Sequence, residues 1–345
     1  MSKIRKKSED IRSFILTNVT EHPQDIATIT AEEFNITRQA VNKHIRKLVD
    51  QNSLAVSGAT KSRVYTLQTL VTWTHHYPLA DTLEEYEVWR KDIFPRLEGL
   101  PDNVIEIWEY GFTEMFNNAI DHSAGSRISI ELRKSAVTSE IFMYDDGEGI
   151  FKKIQREMNL TDEKHAVLEL SKGKLTTDPD NHTGEGIFFS SRMFDMFNIY
   201  SGNTTFSHEF HEVEDWILER VPNFSGTGVF MRLNNNTSRT VKKVFDSFTS
   251  GDDYGFTKTV VPVRLAQYGN EKLVSRSQAK RLLARIDRFK VVLFDFEGID
   301  SIGQAFADEV FRVFNNHHPE IELHSMNTTK NVQAMINRAV NAKVQ

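Results

Sequence analysis

The chain has 345 residues, of which 39% are hydrophobic and 26% charged, with a formal net charge of −6 and no cysteine. That length predicts two or three domains of ordinary globular composition, and the missing thiols exclude disulfides and thiolate metal sites. The longest apolar runs, such as VVLF at 291–294, fall far short of the ~20 residues that cross a bilayer. No signal-like apolar segment follows the basic start MSKIRKKSEDIRSF, so no membrane partner and a cytoplasmic location are expected.

Charge is distributed unevenly. Residues 1–70 carry 11 Lys and Arg against 7 Asp and Glu, a net of +4, whereas the remainder carries 31 against 41. A basic head on an acidic body places any nucleic-acid contact at the head. There Ile11, Phe14, Ile15 and Val19 recur at helical spacing, a second short helix is predicted over 27–34, and a third begins near Thr37, whose hydroxyl can cap it. The third has an apolar stripe of Ala40, Val41, Ile45, Leu48 and Val49 and an outer face of Arg38, Gln39, Asn42, Lys43, Arg46 and Lys47. Two short β-like runs, 54–56 and 64–67, flank SGATKSR and predict a hairpin with a basic tip. Three helices and a hairpin in this order resemble a winged helix-turn-helix domain over about residues 8–68. A basic helix face suits a major groove, with Arg38, Gln39 and Asn42 at the bases, Lys43 on the same DNA-binding face and Lys61 and Arg63 reaching phosphates. The alternative is a solvated face in a protein-binding domain.

Residues 70–100 are rich in aromatics and are expected to be a connector and first helix of the next domain. Next, the helix around EMFNNAIDH sets Glu114 and Asn118 four residues apart on one face, while Phe112, Met115, Phe116, Ala119 and Ile120 serve the core. Asn disfavours helix interiors; its amide oxygen suits Mg²⁺, and a neighbouring carboxylate can activate water. Strands are predicted at 127–133 and 140–144, the second ending in DDGEGI, where Asp145, Gly147 and Gly149 make a DxGxG turn. A carboxylate there can accept from an exocyclic amine, and the glycines permit close backbone approach. In HTGEGIFFSSRMFD, Gly184 and Gly186 lead into a helix, a phosphate-favouring arrangement. In FSGTGVFMRL, Gly226, Thr227 and Gly228 precede a strand.

Four such elements in register resemble the Bergerat-type, or GHKL, ATP-binding domain of gyrase, the Hsp90 chaperone, histidine kinases and MutL, over about residues 80–235. The resemblance implies ATP and Mg²⁺ as cofactors and a two-layer α/β sandwich. It assigns Asp145 to the adenine amine, Asn118 to Mg²⁺ and Glu114 to the general base. Gly147 and Gly149 would shape the adenine side, Gly184 and Gly186 would close on the phosphates, and Thr227 would stand near Asp145. The family's lid would correspond to about 151–183, with Lys172, Lys174, Thr176 and Thr177 either reaching a γ-phosphate or solvated. Neither GxxxxGK[ST] nor GxGxxG occurs, so P-loop and Rossmann folds lose their characteristic loop. No dimerising hairpin with a phosphoacceptor His precedes the pocket, unlike sensor kinases; His122 reads as structural or lid-contacting. HEFHE at 208–212 lacks zinc-site spacing.

Beyond 255, apolar strands alternate with amphipathic helices: KTVVPVRL, helix 277–287, VVLFDF, helix 304–314, IELHS and helix 331–341. The run 289–314 resembles STAS domains, the fold of anti-sigma-factor antagonists, over about 255–342. Those antagonists are phosphorylated on a Ser directly before a turn glycine; here that position is Ile302, and Ser301 is displaced by one, which leaves a helix-capping role as the alternative. The expected organisation is therefore multidomain: 1–69 winged helix, 70–240 ATP-binding sandwich with a connector helix, and 250–345 STAS-like. The expected function is an ATP-dependent DNA-binding transcriptional switch with weak ATPase activity. The alternatives are an anti-sigma-type serine kinase acting on a STAS-like partner or on Ser301, and a scaffold in which ATP is structural. DNA through 1–69, a protein partner through the STAS-like region and a homodimer are the expected partners.

Overall fold

The computed structural model describes residues 3–59, 62–80, 82–175, 184–210, 216–249, 255–267 and 271–342. Lys61, Thr176, Thr177 and the His211 and Glu212 of HEFHE lie outside the described residues.

The N-terminal unit consists of α1 (Lys3–Asn18), α2 (Ile26–Glu33), α3 (Arg38–Asp50) and a hairpin of β1 (Leu54–Ser57) and β2 (Val64–Leu67). Thr37 caps α3, its hydroxyl accepting from the Ala40 amide at 3.2 Å. Val41, Ile45 and Leu48 fall on one stripe of α3 and are buried against Ile11, Ile15, Val19 and Ile26. The hairpin pairs Leu54 with Leu67 and Ser57 with Val64, and the Tyr65 amide donates to the Pro23 carbonyl at 2.8 Å, tying it to the helices. This unit has a hydrophobic core of its own.

The middle region is an antiparallel five-stranded sheet in the order β3-β4-β5-β7-β6, formed by β3 (Thr69–Pro78), β4 (Arg127–Ser135), β5 (Thr138–Asp145), β6 (Met196–Glu209) and β7 (Trp216–Asn234). Residues 70–78, expected to be connector, belong instead to its edge strand, β3. TLVTWTHHYP is dense in β-branched and aromatic residues, and the alternation that brings Tyr77 inward while Thr74 and His76 face out is a period of two. The helical part of the connector runs as α4 (Glu85–Val88), a π turn (Trp89–Ile93) and α5 (Phe94–Leu97). Pro95 lacks the amide that a regular α-helical ladder would use there, which accounts for the widened turn. The helix α6 (Asp102–His122) follows, its Trp108, Phe112, Phe116 and Met115 buried. Strand β5 alternates buried Ile141, Met143 and Asp145 with half-buried Phe142 and Tyr144, so helices cover one face of the sheet. Over 150–172, where a lid was expected, stand α7 (Ile150–Glu157) and α8 (Glu163–Lys172), with Phe151, Ile154 and the whole run 166–172 buried. After them comes α9 (Gly186–Met193). The GTG at 226–228 lies inside β7 rather than ahead of a strand.

A short helix, α10 (Val241–Asp246), occupies the stretch between the two polar segments 234–240 and 247–255. The C-terminal region then has a parallel three-stranded sheet, β10-β9-β8, of β8 (Lys258–Pro262), β9 (Val291–Asp295) and β10 (Glu322–Met326). Its helices are α11 (Arg276–Leu283), the continuous run α12 (Gln304–Asp308), a second π turn (Glu309–Phe314) and α13 (Asn315–His317), and finally α14 (Lys330–Asn341). A capping box of Ser275 and Gln278 starts α11. β8 stops at Pro262 and turns into a 3-10 segment, earlier than the apolar run suggests. The core of this region is continuous with that of the middle region, joined through Phe188, Phe189, Phe256 and Phe289. Among the described residues no helix is long and apolar enough to cross a membrane.

Candidate functional site

A cavity of about 280 Å³ opens between α6 and the sheet. Three polar side chains on α6, Glu114, Asn118 and His122, line it at successive four-residue steps. The sheet contributes Met143 and Asp145 from β5, Ile199 from β6 and Thr227 and Val229 from β7. From α7 come Ile150, Lys153 and Ile154, and the rim is completed by Leu170, Leu175, Gly184, Gly186 and Ile187. Of the eight residues that the sequence assigns to the ligand, Glu114, Asn118, Asp145, Gly149, Gly184, Gly186 and Thr227 line this one cavity. Gly147 does not line it; it makes the turn behind Asp145 and packs so closely on the Ser123 carbonyl that a Cβ would collide.

At one end, Asp145 is 5% exposed. Its Oδ1 accepts from the Gly147 amide at 3.0 Å and the Thr227 amide at 3.3 Å. Burial pushes its carboxyl above the usual carboxylate range, the Gly147 and Thr227 hydrogen bonds pull it back, and Asp146 pushes it further up. The neighbouring Asp146 turns the other way and accepts from Ser126 and the Arg127 amide, which hold its carboxyl below its ordinary value. Of the two adjacent acids, only Asp145 serves the cavity. Thr227 Oγ1 accepts from the Ile150 amide at 3.0 Å and so fastens β7 to the start of α7. Gly149, at φ +92°, makes the turn between them, where a Cβ would sit 2.5 Å from Ser201 Oγ.

At the other end, Glu114 abuts Gly186 so closely that a Cβ on Gly186 would strike Oε2 of the carboxylate. Tyr110, one turn earlier on α6, has its phenol pushed far up by burial and then by the nearby charges of Glu114 and Glu185. Burial likewise raises Glu185, with Lys174 opposing. Between the two ends, the Asn118 amide forms no hydrogen bond among the described residues. A helix-borne amide left available in a cavity, one turn from a carboxylate, suits an oxygen-ligated cation and an activated water. Among the described residues no cluster of three His, Asp or Glu side chains forms a cation cage, so a hard cation here would take its other ligands from the bound molecule and water.

Several lining residues escaped the sequence reading. Met143, Ile199, Val229, Ile150 and Ile154 give the cavity an apolar lining. The strands read as core, and nothing in a linear pattern marks which core residues face a cavity. Lys153 was recognisable only through the strong amphipathicity of IFKKIQRE, which fixes its face once α7 docks; its Nζ donates to the His122 carbonyl at 3.0 Å.

Two cations considered for a γ-phosphate are placed elsewhere. Lys172 is 1% exposed, bonded to Glu169 at 2.6 Å and to the Ala284 and Arg281 carbonyls at 2.8 and 3.3 Å. Lys174 Nζ donates to the Arg288 carbonyl at 3.1 Å and lies over the Phe256 and Phe289 rings. Both therefore engage the C-terminal region rather than line the cavity. The segment is drawn there because Lys172 reaches the carbonyls at the end of α11, where a helix terminus favours a cation.

On the N-terminal unit, Arg38, Gln39, Asn42 and Lys43 are exposed along α3, and Arg63 is exposed ahead of β2. In the C-terminal region, Ser301 is exposed, but the N-cap of α12 is Gly303, so Ser301 does not cap that helix. The Gly303 amide donates to the Leu273 carbonyl at 2.7 Å and Thr329 Oγ1 to the Asp300 carbonyl at 2.9 Å, fixing the turn on both sides.

No curated protein shows a match to the chain. The family described as a STAS-like domain of unknown function (DUF4325) matches residues 278–333, from α11 into the first turn of α14. The C-terminal region thus contains a STAS-like domain.

Proposed function

We propose that the middle region is a Bergerat-type sandwich binding ATP with Mg²⁺, that the N-terminal unit is a DNA-binding winged helix, and that the chain is a nucleotide-dependent transcriptional switch reset by slow hydrolysis. The observation that carries the pocket reading is the convergence of Glu114, Asn118, Asp145, Gly149, Gly184, Gly186 and Thr227, drawn from separate segments, on one cavity. The apolar lining accommodates a purine, and Asp145 accepts from its exocyclic amine. The Asn118 amide oxygen would hold Mg²⁺, which supplies charge neutralisation to the phosphates when bound. Glu114, half-buried and one turn from Asn118, orients a water and takes its proton.

The coupling half of the reading is supported by the segment 170–175. Leu170 and Leu175 line the cavity while Lys172, between them, is bonded into the C-terminal region. A ligand that prefers one arrangement of this segment would shift the equilibrium of the STAS-like domain by its differential affinity. The STAS-like domain is then a docking module for a protein partner or a second copy, and the exposed α3 face is the DNA contact.

Calorimetry tests the pocket: Asp145→Asn should weaken ATP binding about tenfold or more, whereas Glu114→Ala should spare affinity and suppress phosphate release. The reverse ordering would show that the two roles are exchanged. DNA binding measured with and without ATP and Mg²⁺ tests the switch, and identical affinities defeat it. Radiolabelled γ-phosphate appearing on Ser301 instead of in solution would favour the serine-kinase alternative.

A further inference from the structure

The cavity wall carries two carboxylates, Glu114 and Asp145, yet among the described residues lining it the one Lys or Arg is Lys153. A polyanionic ligand beside two acids needs a cation in reach. The ammonium of Lys153 is half-buried and held in place, donating to the His122 carbonyl at 3.0 Å. One such bond leaves two of its three N–H groups for a ligand.

Its position along the cavity follows from α6. With a rise of 1.5 Å per residue, the backbone of His122 lies roughly 6 Å beyond Asn118 and roughly 12 Å beyond Glu114. The Glu148 amide donates to the Ser123 carbonyl at 3.0 Å, so the turn bearing Asp145 packs at this same end of α6. Lys153 therefore stands at the base-recognising end, ahead of the metal-binding amide. A nucleotide with its base edge on Asp145 and its terminal phosphate toward Glu114 passes Lys153 with the ribose and the first phosphate.

We propose that Lys153 binds the 5′-phosphate nearest the nucleoside, and so makes the cavity select nucleotides over nucleosides without help from a divalent ion. This inference rests on the nucleotide reading of the cavity. The competing role is purely structural: the ammonium satisfies a carbonyl in the last turn of α6 and neutralises the end of that helix. A structural cap changes stability but leaves the preference for AMP over adenosine untouched.

The experiment is calorimetry on the full chain in EDTA with adenosine and AMP, and separately with ATP and Mg²⁺. Wild type should bind AMP about tenfold or more tighter than adenosine, the strength of a charge-assisted phosphate contact. Lys153→Gln should bring AMP down to the affinity of adenosine while leaving adenosine unchanged, and Lys153→Arg should restore part of the gap. Equal affinities in wild type overturn the proposal even if the variant does not fold, as does a glutamine variant that keeps the wild-type ratio or loses both ligands equally. Wild type that binds ATP but does not distinguish AMP from adenosine sinks the Lys153 subsite alone. Wild type that binds none of the three overturns the nucleotide reading as well.

Discussion

The N-terminal unit and the STAS-like region flank the same middle region, yet they are attached to it differently. The first keeps its own core of Ile11, Ile15, Val41, Ile45 and their neighbours, and is followed directly by β3, the edge strand of the central sheet. The second shares one continuous core with the middle region and holds Lys172 inside it. A buried charge is tolerated only when paired and hydrogen-bonded, and here the partners come from both sides: Glu169 from α8, and the Arg281 and Ala284 carbonyls from the end of α11. The hydrophobic core therefore runs without a break from the cavity to the STAS-like region, whereas the N-terminal unit packs around a separate one.

The hardest blow to that contrast is Lys172→Met. It takes the ammonium away from Glu169, 2% exposed, and leaves it His165 Nε2 at 3.5 Å, at a cost of about 3 kcal/mol. All four tryptophans, Trp73, Trp89, Trp108 and Trp216, belong to the middle region, so their fluorescence during denaturation should report the loss although two of the broken bonds end in the STAS-like region. A fluorescence midpoint that stays at the wild-type value would mean that the buried Lys172 pair does not hold the middle region together.

Thr37→Ala perturbs the N-terminal unit alone. Losing the cap of α3 should cost about 1 kcal/mol, seen as a lower midpoint in the helical circular dichroism signal of the N-terminal unit. The tryptophan transition and ATP affinity should not move.

The smallest effect concerns pH at the cavity. Because burial raises the Asp145 carboxyl, the free protein keeps its proton to a higher pH than an ordinary aspartate, whereas an amine donor favours the ionised form. Binding therefore takes up no proton and releases one; ATP affinity should rise with pH through the elevated Asp145 range, then level off, once the nucleotide's own titration is subtracted. Asp145→Asn should abolish that slope, and an unchanged slope in the variant would place the titrating group elsewhere.

Much of the site was legible in the linear pattern. Glu114 and Asn118 share a helix face by spacing alone, and the glycines at 147, 149, 184 and 186 mark backbone that must turn sharply or pass close to something. The edge strand at 69–78 was obscured because its aromatic residues also fit a helical stripe, and only pairing with β4 settles the period. Lys172 and Lys174 illustrate the opposite failure. In a glycine-rich polar stretch they read as solvated or phosphate-seeking, and a sequence gives no sign that the carbonyls of Arg281 and Ala284 will meet Lys172 and that of Arg288 will meet Lys174.

By itself the order of residues determined the strongly periodic elements, such as α3 and α6, and the identity of the chemical groups, because capping, periodicity and turn chemistry act over a few neighbours along the chain. Which of two adjacent acids faces the cavity, which apolar residues line it, that Lys153 joins it while Lys172 leaves it, and that one flanking region fuses its core while the other does not were decided by tertiary packing. These depend on contacts between segments as far apart as Lys172 and Ala284, where burial and the pairing of charge with carbonyl set the energy, and no local propensity encodes them.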